Sequence, residues 1–197
     1  MGFVEGEARH RWAPHEAENG KKMSNLGAFL WRQFDLPVVH VALCDLASGS
    51  TKICLHRRVG TETLSDLWAL PGGRIDPGEN PIDAAHREVW EEVSVRPLQL
   101  RLAGVLTFAL AGRVEGETET GTKTGTKTDT HTQRLGCNFV FACHRWQGDV
   151  ECREPLLHGP PEFFPADQLP SPVPAWITAI VPRIAAHKAP LFRHFDG

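Results

Sequence analysis

Short runs of apolar and β-branched residues, separated by turn-forming residues, dominate much of the chain. Residues 37–46 form the first run, a Ser/Gly turn follows, and residues 52–58 resume the pattern. Two such runs with a short polar connection predict a β-hairpin. The first run is apolar almost throughout, which indicates a strand that is covered on both faces.

Further strand patterns follow. Residues 67–70 predict a short strand that a Pro-Gly-Gly turn at residues 71–73 ends. Glycine in that turn allows positive φ and a close approach of the backbone to a bound ion or phosphate. Longer β-type runs occupy residues 98–110 and 135–146, and residues 163–164 predict a short edge strand.

A helix is predicted immediately after the second Pro-Gly turn. Asn80 is suited to cap this helix, Pro81 fits its first position, and Asp83 stands three residues after the cap. Spacings of three, four and four residues predict one apolar stripe, formed by Ile82, Ala85, Val89 and Val93.

A second helical pattern covers residues 174–188, with its apolar stripe at Trp176, Ile177, Ile180 and Ile184. Pro182 lies inside this pattern and is expected to kink or divide the helix. Residues 1–34 predict a mobile tail in which Ser24-Asn25 is a candidate cap for a short helix. The Thr-rich segment at about 112–133 has no apolar face to bury, which predicts a flexible hairpin extension or a disordered loop.

Composition narrows the class of protein. The chain has 197 residues with 21 basic and 24 acidic side chains, a net charge of −3, which disfavours a protein that coats nucleic acid or membrane surfaces. Its five cysteines form no C-x-x-C pair, so reduced thiols are expected rather than a disulfide framework or a zinc site. No apolar run approaches the roughly 20 residues of a membrane span, and the first residues lack a signal-peptide core. We therefore expect a cytoplasmic protein.

Three glutamates share one face of the first predicted helix, because Glu88, Glu91 and Glu92 are spaced at i, i+3 and i+4. A solvated charged face is one interpretation. However, like charges at this spacing disfavour a helix, and a cation would relieve the repulsion. Mg²⁺ binds carboxylate and carbonyl oxygens together with substrate phosphates. With the Gly-rich turn before the helix, these residues indicate a metal–phosphate site.

The same stretch resembles the Nudix box, whose order is Gly, five residues, Glu, seven residues, Arg-Glu-apolar, one residue, Glu-Glu, one residue, Gly-apolar. Gly73, Glu79, Arg87-Glu88-Val89, Glu91-Glu92 and Val95 agree with it, whereas Ser94 replaces the last glycine. A non-glycine residue at a left-handed helix end costs about 1 kcal/mol. The resemblance implies a Nudix fold over residues 35–197, an α/β (mixed α+β) fold with a mixed β-sheet sandwiched between α-helices.

The resemblance also implies an activity, the Mg²⁺-dependent hydrolysis of a nucleoside diphosphate linked to another group, with Mn²⁺ as a substitute for Mg²⁺. It implies that Glu88, Glu92 and the Gly72 carbonyl are principal metal ligands and that Glu91 is a ligand or the base. Arg87 is then expected to fix a glutamate rotamer, and Glu79 to support the site through the turn. Which glutamate takes the proton is left open.

Outside the box, residues 145–155 resemble the MutT-type branch of the family, in which a glutamate from an opposite loop reaches the metal. That makes Glu154 a candidate ligand or base. Arg58 and Gly73 are candidate substrate contacts. The expected substrate is a nucleoside triphosphate, oxidised purine nucleotides included, and the alternatives are ADP-ribose, ADP-sugars and dinucleotides.

A different class is a non-hydrolytic Nudix-like domain that senses a nucleotide or serves as a scaffold. An intact carboxylate set argues against it, while Ser94 and the Thr-rich segment favour it. RNA-end processing is disfavoured by the lack of a basic patch. The expected partner is therefore a small nucleotide-type substrate rather than nucleic acid or a membrane, and the expected assembly is a monomer or a homodimer.

Overall fold

The computed structural model describes residues 26, 29–30, 33–46, 49–60, 65–110 and 135–195. Most of the predicted tail at 1–34, including its candidate cap, and the Thr-rich segment at about 112–133 lie outside these ranges. The four described residues between 26 and 33 are helical, and Leu30 among them is buried. All five cysteines lie within the described ranges and are free thiols.

Ten strands and two further helices form the described part of the chain. The strands are β1 (Leu36–Asp45), β2 (Lys52–Arg57), β3 (Trp68–Ala69), β4 (Gly72–Arg74), β5 (Arg96–Pro97), β6 (Leu100–Ala109), β7 (Leu135–Cys143), β8 (Trp146–Gln147), β9 (Glu162–Pro165) and β10 (Leu191–Phe195). The helices are α1 (Pro81–Val93) and α2 (Ala175–Ala185). Neither of these helices has the length and apolar character needed to cross a membrane.

Eight of the strands form one mixed sheet with β10, β6, β7, β1, β2 and β3 in that order; β4 also pairs with β1, and β9 with β2. The predicted β1–β2 hairpin is present and antiparallel. By contrast, β1 and β7 are parallel, as are β6 and β10. Strands β5 and β8 form a separate two-stranded sheet.

The two helices cover opposite faces of the sheet. On β1, Val41 and Leu43 pack with the buried residues of α1, whereas Ala42 and Cys44 pack with those of α2. Successive strand residues point to opposite faces, so β1 is buried on both sides, as its apolar run predicts. The expected α/β fold, a mixed sheet between helices, is confirmed.

Helix α1 begins as predicted. The Asn80 side chain accepts hydrogen bonds from the backbone N–H groups of Ile82 and Asp83 at 2.9 and 3.0 Å, and its amide also contacts the Asp83 carboxylate. The predicted apolar stripe is partly wrong, because Ile82, a predicted member, is 45% exposed, whereas Ala84, which was not predicted, is buried. Ile82 lies in the first turn of α1 and belongs to neither of the two buried core clusters.

Other predictions need correction. Gly72 and Gly73 do not form a turn that ends a strand; they form β4 itself, paired with β1. Pro182 lies inside α2 and does not divide it. Residues 191–195, for which no strand was predicted, form β10 at the edge of the sheet beside β6. Backbone pairing with a neighbouring strand supplied what the local pattern lacks.

Candidate active site

Arg87 on α1 connects three of the predicted acidic residues. Its guanidinium donates to both carboxylate oxygens of Glu79, at 3.0 and 2.8 Å, and from Nη1 to Glu88 at 2.8 Å and Glu91 at 3.1 Å. Nη2 also donates to the Arg74 carbonyl at 2.9 Å. The Glu79 hydrogen bonds are the main cause of an Arg87 pKa raised above its ordinary value. Arg87 is thus a fixed cation that aligns the carboxylates.

Glu79 has the supporting position that was expected. Its Oε2 accepts from the Asp76 N–H at 3.0 Å, and its own N–H donates to the Asp76 carbonyl at 2.9 Å. The Pro-Gly turn before α1 is thereby tied to Arg87.

Glu88 lies against the backbone of β4. A Cβ on Gly73 would come within 2.6 Å of the Glu88 carboxylate, so glycine leaves the room that this carboxylate occupies. Burial raises the pKa of Glu88 to about 7, in spite of the hydrogen bond and charge of Arg87, and the negative charges of Glu92 and Glu91 act in the same direction as burial. Gly73 therefore shapes the carboxylate site; its predicted contact with substrate stays a prediction.

Glu92 is the most buried acidic residue of the cluster, only 5% exposed. Its Oε2 accepts a 2.7 Å hydrogen bond from the Gly72 N–H, which joins α1 to β4. Burial raises the pKa of Glu92, although the hydrogen bond and charge of His158 and the Gly72 N–H oppose that shift. The predicted role of Gly72 concerned its carbonyl; the observed contact is through its N–H.

Two histidines that sequence reasoning missed complete the surroundings of Glu92. His158 Nε2 lies 3.1 Å from Glu92 Oε1, and His56 Nε2 lies 3.7 Å from Oε2. The two imidazole rings stack with centroids 4.1 Å apart and planes 2° apart. Burial, with the nearby His158, lowers the pKa of His56 to about 3. The i, i+4 spacing of Glu154 and His158 could have indicated His158 from the sequence. His56 stands alone in β2, and nothing in the sequence around it indicates a functional role.

The remaining predicted residues lie at the edge of this cluster. Glu91 is the exposed member, with 47% of its side chain accessible. Glu154 Oε2 lies 3.6 Å from His158 Nε2, so Glu154 reaches the site through the histidine. Arg58 forms a β-bridge with His158, and its Nε is buried without a hydrogen-bond partner among the described residues.

These residues fit a divalent cation. Glu92 is buried and Glu88 is partly buried on the same helix, and burial raises the pKa of each carboxylate. A protein stabilises buried carboxylates of this kind by protonation or by a cation. Carboxylate oxygen is the ligand type that Mg²⁺ and Mn²⁺ prefer.

A mixed sheet between two helices, with a carboxylate-bearing helix fed by a Gly-rich strand, is the architecture of the Nudix class. The NUDIX domain model matches residues 36–184, most of the chain. The protein belongs to the Nudix family.

Individual solved structures and curated proteins are similar to parts of this chain. A solved MutT NUDIX hydrolase from Burkholderia pseudomallei superposes with a TM-score of 0.56 at 20% identity, covering 76% of this chain and 97% of that one. A MutT protein from Bacillus halodurans gives 0.58 at 19% identity, covering 82% and 89%. Both likenesses concern the fold. An RNA pyrophosphohydrolase of Psychrobacter sp. is 42% identical over 57 residues, which is 29% of this chain and 31% of the relative. The match thus spans about a third of that relative's length.

Proposed function

We propose that this protein is a divalent-cation-dependent hydrolase that cleaves the phosphoanhydride bond of a nucleoside diphosphate-linked substrate, with a nucleoside triphosphate as the first candidate. The observation that carries the proposal is a pair of carboxylates, the buried Glu92 and the partly buried Glu88, held on α1 against the Gly72-Gly73 backbone. The division into a tail at 1–34 and a catalytic domain at 35–197, with an insertion at about 112–133, is part of the same proposal.

Mg²⁺, with Mn²⁺ as substitute, would be held by Glu88, Glu92 and the Gly72 carbonyl, with Glu91 and Glu154 within reach. When bound, such an ion neutralises pyrophosphate charge and lowers the pKa of a coordinated water. Mn²⁺ accepts the same oxygen ligands. The carboxylates that bind it need a fixed orientation, which Arg87 provides for Glu88 and Glu91.

In the reaction, a water oxygen attacks one phosphorus and the bridging P–O bond breaks, so that the leaving phosphate departs with the bonding electrons. The proton of the water passes to a glutamate. Glu91, Glu88 and Glu154 are the candidates for this base; Arg87 Nη1 holds Glu91 and Glu88 in position through hydrogen bonds of 3.1 and 2.8 Å. Arg58 is the candidate contact to the substrate, because its Nε is buried beside the site without a partner among the described residues.

A 5′-triphosphorylated RNA end is a second candidate substrate. The observation that favours it is the sequence similarity to RNA pyrophosphohydrolases, 42% identity over 57 residues in the Psychrobacter sp. protein. Its reacting group is the same phosphoanhydride. The net charge of −3 makes an RNA end a less favoured substrate than a free nucleotide, because RNA binding relies on cationic contacts to phosphates.

The test is phosphate or pyrophosphate release with Mg²⁺ from four kinds of substrate: nucleoside triphosphates including oxidised purine ones, ADP-ribose and ADP-sugars, dinucleotides, and a triphosphorylated oligonucleotide. Glu92→Gln is expected to lower kcat about 100-fold or more, since loss of groups that merely support a metal ligand costs about 10- to 100-fold. The exposed Glu151→Gln is the matched control. Turnover of none of these substrates, or a Glu92→Gln variant as active as the wild type, would refute the proposal.

A further inference from the structure

His158 approaches two carboxylates that belong to separate segments of the chain. Its Nε2 lies 3.1 Å from Glu92 Oε1, on α1, and 3.6 Å from Glu154 Oε2, on the loop that follows β8. His158 is 4% exposed and Glu92 is 5% exposed, so the contact between them is shielded from water. Both glutamates belong to the proposed cation site, and one imidazole nitrogen therefore joins two of its carboxylates.

Both oxygens of the Glu92 carboxylate face a fixed donor. Oε2 accepts a 2.7 Å hydrogen bond from the Gly72 N–H, and Oε1 faces His158 Nε2. Each carboxylate oxygen has two lone pairs, so each can accept one hydrogen bond and still bind a cation. Carboxylates that bind metals are commonly oriented by such hydrogen bonds. Loss of the imidazole would leave Oε1 without this donor and would allow the carboxylate to rotate.

The surroundings of the His158 ring favour a hydrogen on Nε2. Nδ1 is buried and has no hydrogen-bond partner among the described residues, whereas Nε2 faces carboxylate oxygens. A hydrogen on Nε2 makes a charge-assisted hydrogen bond, and a hydrogen on Nδ1 would make none. The His56 ring stacks on the His158 ring with planes 2° apart and centroids 4.1 Å apart, which restrains the ring from turning. His158 is therefore held as a hydrogen-bond donor to the carboxylates.

The loop that carries His158 is attached to the end of α1 by other contacts. The Arg153 N–H donates to the Glu92 carbonyl at 3.0 Å. The Arg153 guanidinium donates to the Trp90 carbonyl at 3.0 Å and lies 4.6 Å from the centre of the Trp90 ring. The His158 N–H also donates to the Glu154 carbonyl at 2.9 Å. Because these contacts do not use the imidazole, its removal should leave the loop in place.

We propose that His158 is a positioning residue for the carboxylate cluster, which fixes the Glu92 carboxylate through Nε2 and holds the Glu154 carboxylate beside it. The imidazole acts as a donor to carboxylates that bind the cation and does not bind the cation itself. The inference rests on the proposed function, because it requires that the cluster binds a divalent cation. It requires no contact between His158 and the substrate.

The first experiment measures Mn²⁺ binding to the full chain by electron paramagnetic resonance, without substrate. His158→Leu should weaken Mn²⁺ binding about tenfold or more, the effect of losing a group that orients a metal ligand. His158→Gln should bind Mn²⁺ within about threefold of wild type, because the glutamine amide can donate in place of Nε2. His86→Leu is the matched control and should bind like wild type, since the carboxylate that acts on His86 is that of Asp83, in the first turn of α1.

The hydrolysis assay separates positioning from a general loss of structure. His158→Leu should raise the Mg²⁺ concentration that gives half the maximal rate about tenfold or more. The KM for the nucleotide at saturating Mg²⁺ should stay within about twofold of the wild-type value, because His158 is not expected to contact the substrate. A disordered site would change both quantities.

A measurement on the wild type keeps the test decisive if His158→Leu folds poorly. Long-range ¹H–¹⁵N NMR spectra report which ring nitrogen carries the hydrogen, and they should show it on His158 Nε2. Unchanged Mn²⁺ binding in His158→Leu, no recovery in His158→Gln, or a hydrogen on His158 Nδ1 alone would each overturn the proposal. Substrate turnover that His158→Leu leaves unaltered would refute only the positioning role. The expected changes in Mn²⁺ binding without turnover of any substrate would refute only the hydrolase proposal.

Discussion

Arg87 is the residue on which the geometry of the carboxylates depends most directly. Its guanidinium contacts Glu79 through two hydrogen bonds and also reaches Glu88 and Glu91. A planar, five-donor group can satisfy these acceptors together, and a lysine ammonium cannot. The identity of this one side chain therefore fixes three others.

We predict that Arg87→Lys keeps the charge but loses the alignment. The kcat in the hydrolysis assay should fall about 10- to 100-fold, and the free energy of unfolding should fall by about 1–3 kcal/mol. Steady-state kinetics and urea unfolding measure the two effects. Arg57→Lys is the control. Arg57 forms a 3.4 Å ion pair with Asp66 in which both side chains are exposed, so this pair should contribute under about 0.5 kcal/mol to the free energy of unfolding. Equal behaviour of the two variants would contradict the prediction.

Gly72 is a position where no other residue fits. Its φ is +152°, and an added Cβ would lie 2.1 Å from the Val39 carbonyl oxygen and 2.7 Å from the His40 Cα. Both neighbours are backbone atoms of β1, so the strand pairing itself would have to shift. The glycine is required by the close pairing of β4 with β1.

Gly72→Ala is expected to destabilise the fold by about 2 kcal/mol or more, the range for strong local strain. Gly78→Ala is the matched comparison, because Gly78 also has positive φ, +87°, but an added Cβ would meet no atom within 4 Å. Its cost should be limited to about 1 kcal/mol for the left-handed conformation. Urea unfolding of both variants checks the difference, and equal costs would show that the backbone clash is relieved.

At the scale of secondary-structure elements, helix α1 ends at Ser94, the position where the sequence departs from the Nudix box. Ser94 is the C-terminal cap, with φ 63° and ψ 14°, the left-handed conformation in which the family has glycine. The Ser94 N–H donates to the Trp90 carbonyl at 3.3 Å. Serine in place of glycine therefore leaves the end of α1 and the carboxylates in place. Its left-handed backbone conformation has a cost in conformational energy.

Ser94→Gly should therefore raise the free energy of unfolding by about 0.5–1 kcal/mol, because glycine adopts φ > 0 without a steric penalty. The gain is expected without a change in metal binding, since Ser94 follows the last helical residue and its N–H bonds to the Trp90 carbonyl rather than to a glutamate. Thermal and urea unfolding measure it. A loss of stability would indicate that the serine side chain contributes more than its backbone costs.

At the scale of the whole molecule, buried histidines connect stability to pH. His40 Nδ1 on β1 donates a 2.9 Å hydrogen bond to the amide oxygen of Asn138 on β7, and the His40 ring lies 4.9 Å from that of Trp176 on α2. Burial lowers the pKa of His40 to about 4; the Asn138 hydrogen bond opposes this shift and the positive charge of Arg58 adds to it. The neutral ring thus joins both central strands to α2.

Because the folded pKa lies below the ordinary value of about 6.5, the unfolded chain takes up the proton first. The contribution of His40 to stability should hold above about pH 6.5 and fall by roughly 1–3 kcal/mol between there and pH 4. Urea unfolding from pH 7.5 to 4.5 should show this slope in the wild type and a smaller slope in His40→Gln. Equal slopes in the two proteins would remove His40 as the cause.

Local sequence determined much of this protein. Asn80, Pro81 and the spacing of Val89 and Val93 predict α1 because caps and 3.6-residue periodicity are local properties. The apolar run at residues 37–46 predicts β1, and the box motif predicts the family and the carboxylate set. The helix, the strand and the carboxylate set can be predicted without information from distant parts of the chain.

The tertiary structure decided what depends on distant neighbours. It placed His56 and His158 around Glu92, although 102 positions separate the two histidines (158 − 56), and it turned the Gly72-Gly73 segment into a strand beside β1. It also paired the C-terminal residues with β6 and left Ile82 exposed. Strand pairing and burial arise from contacts between segments far apart in sequence, whereas caps, turns and helical periodicity arise within a few residues. The sequence alone therefore specified the acidic helix, and only the fold brought the histidines to it.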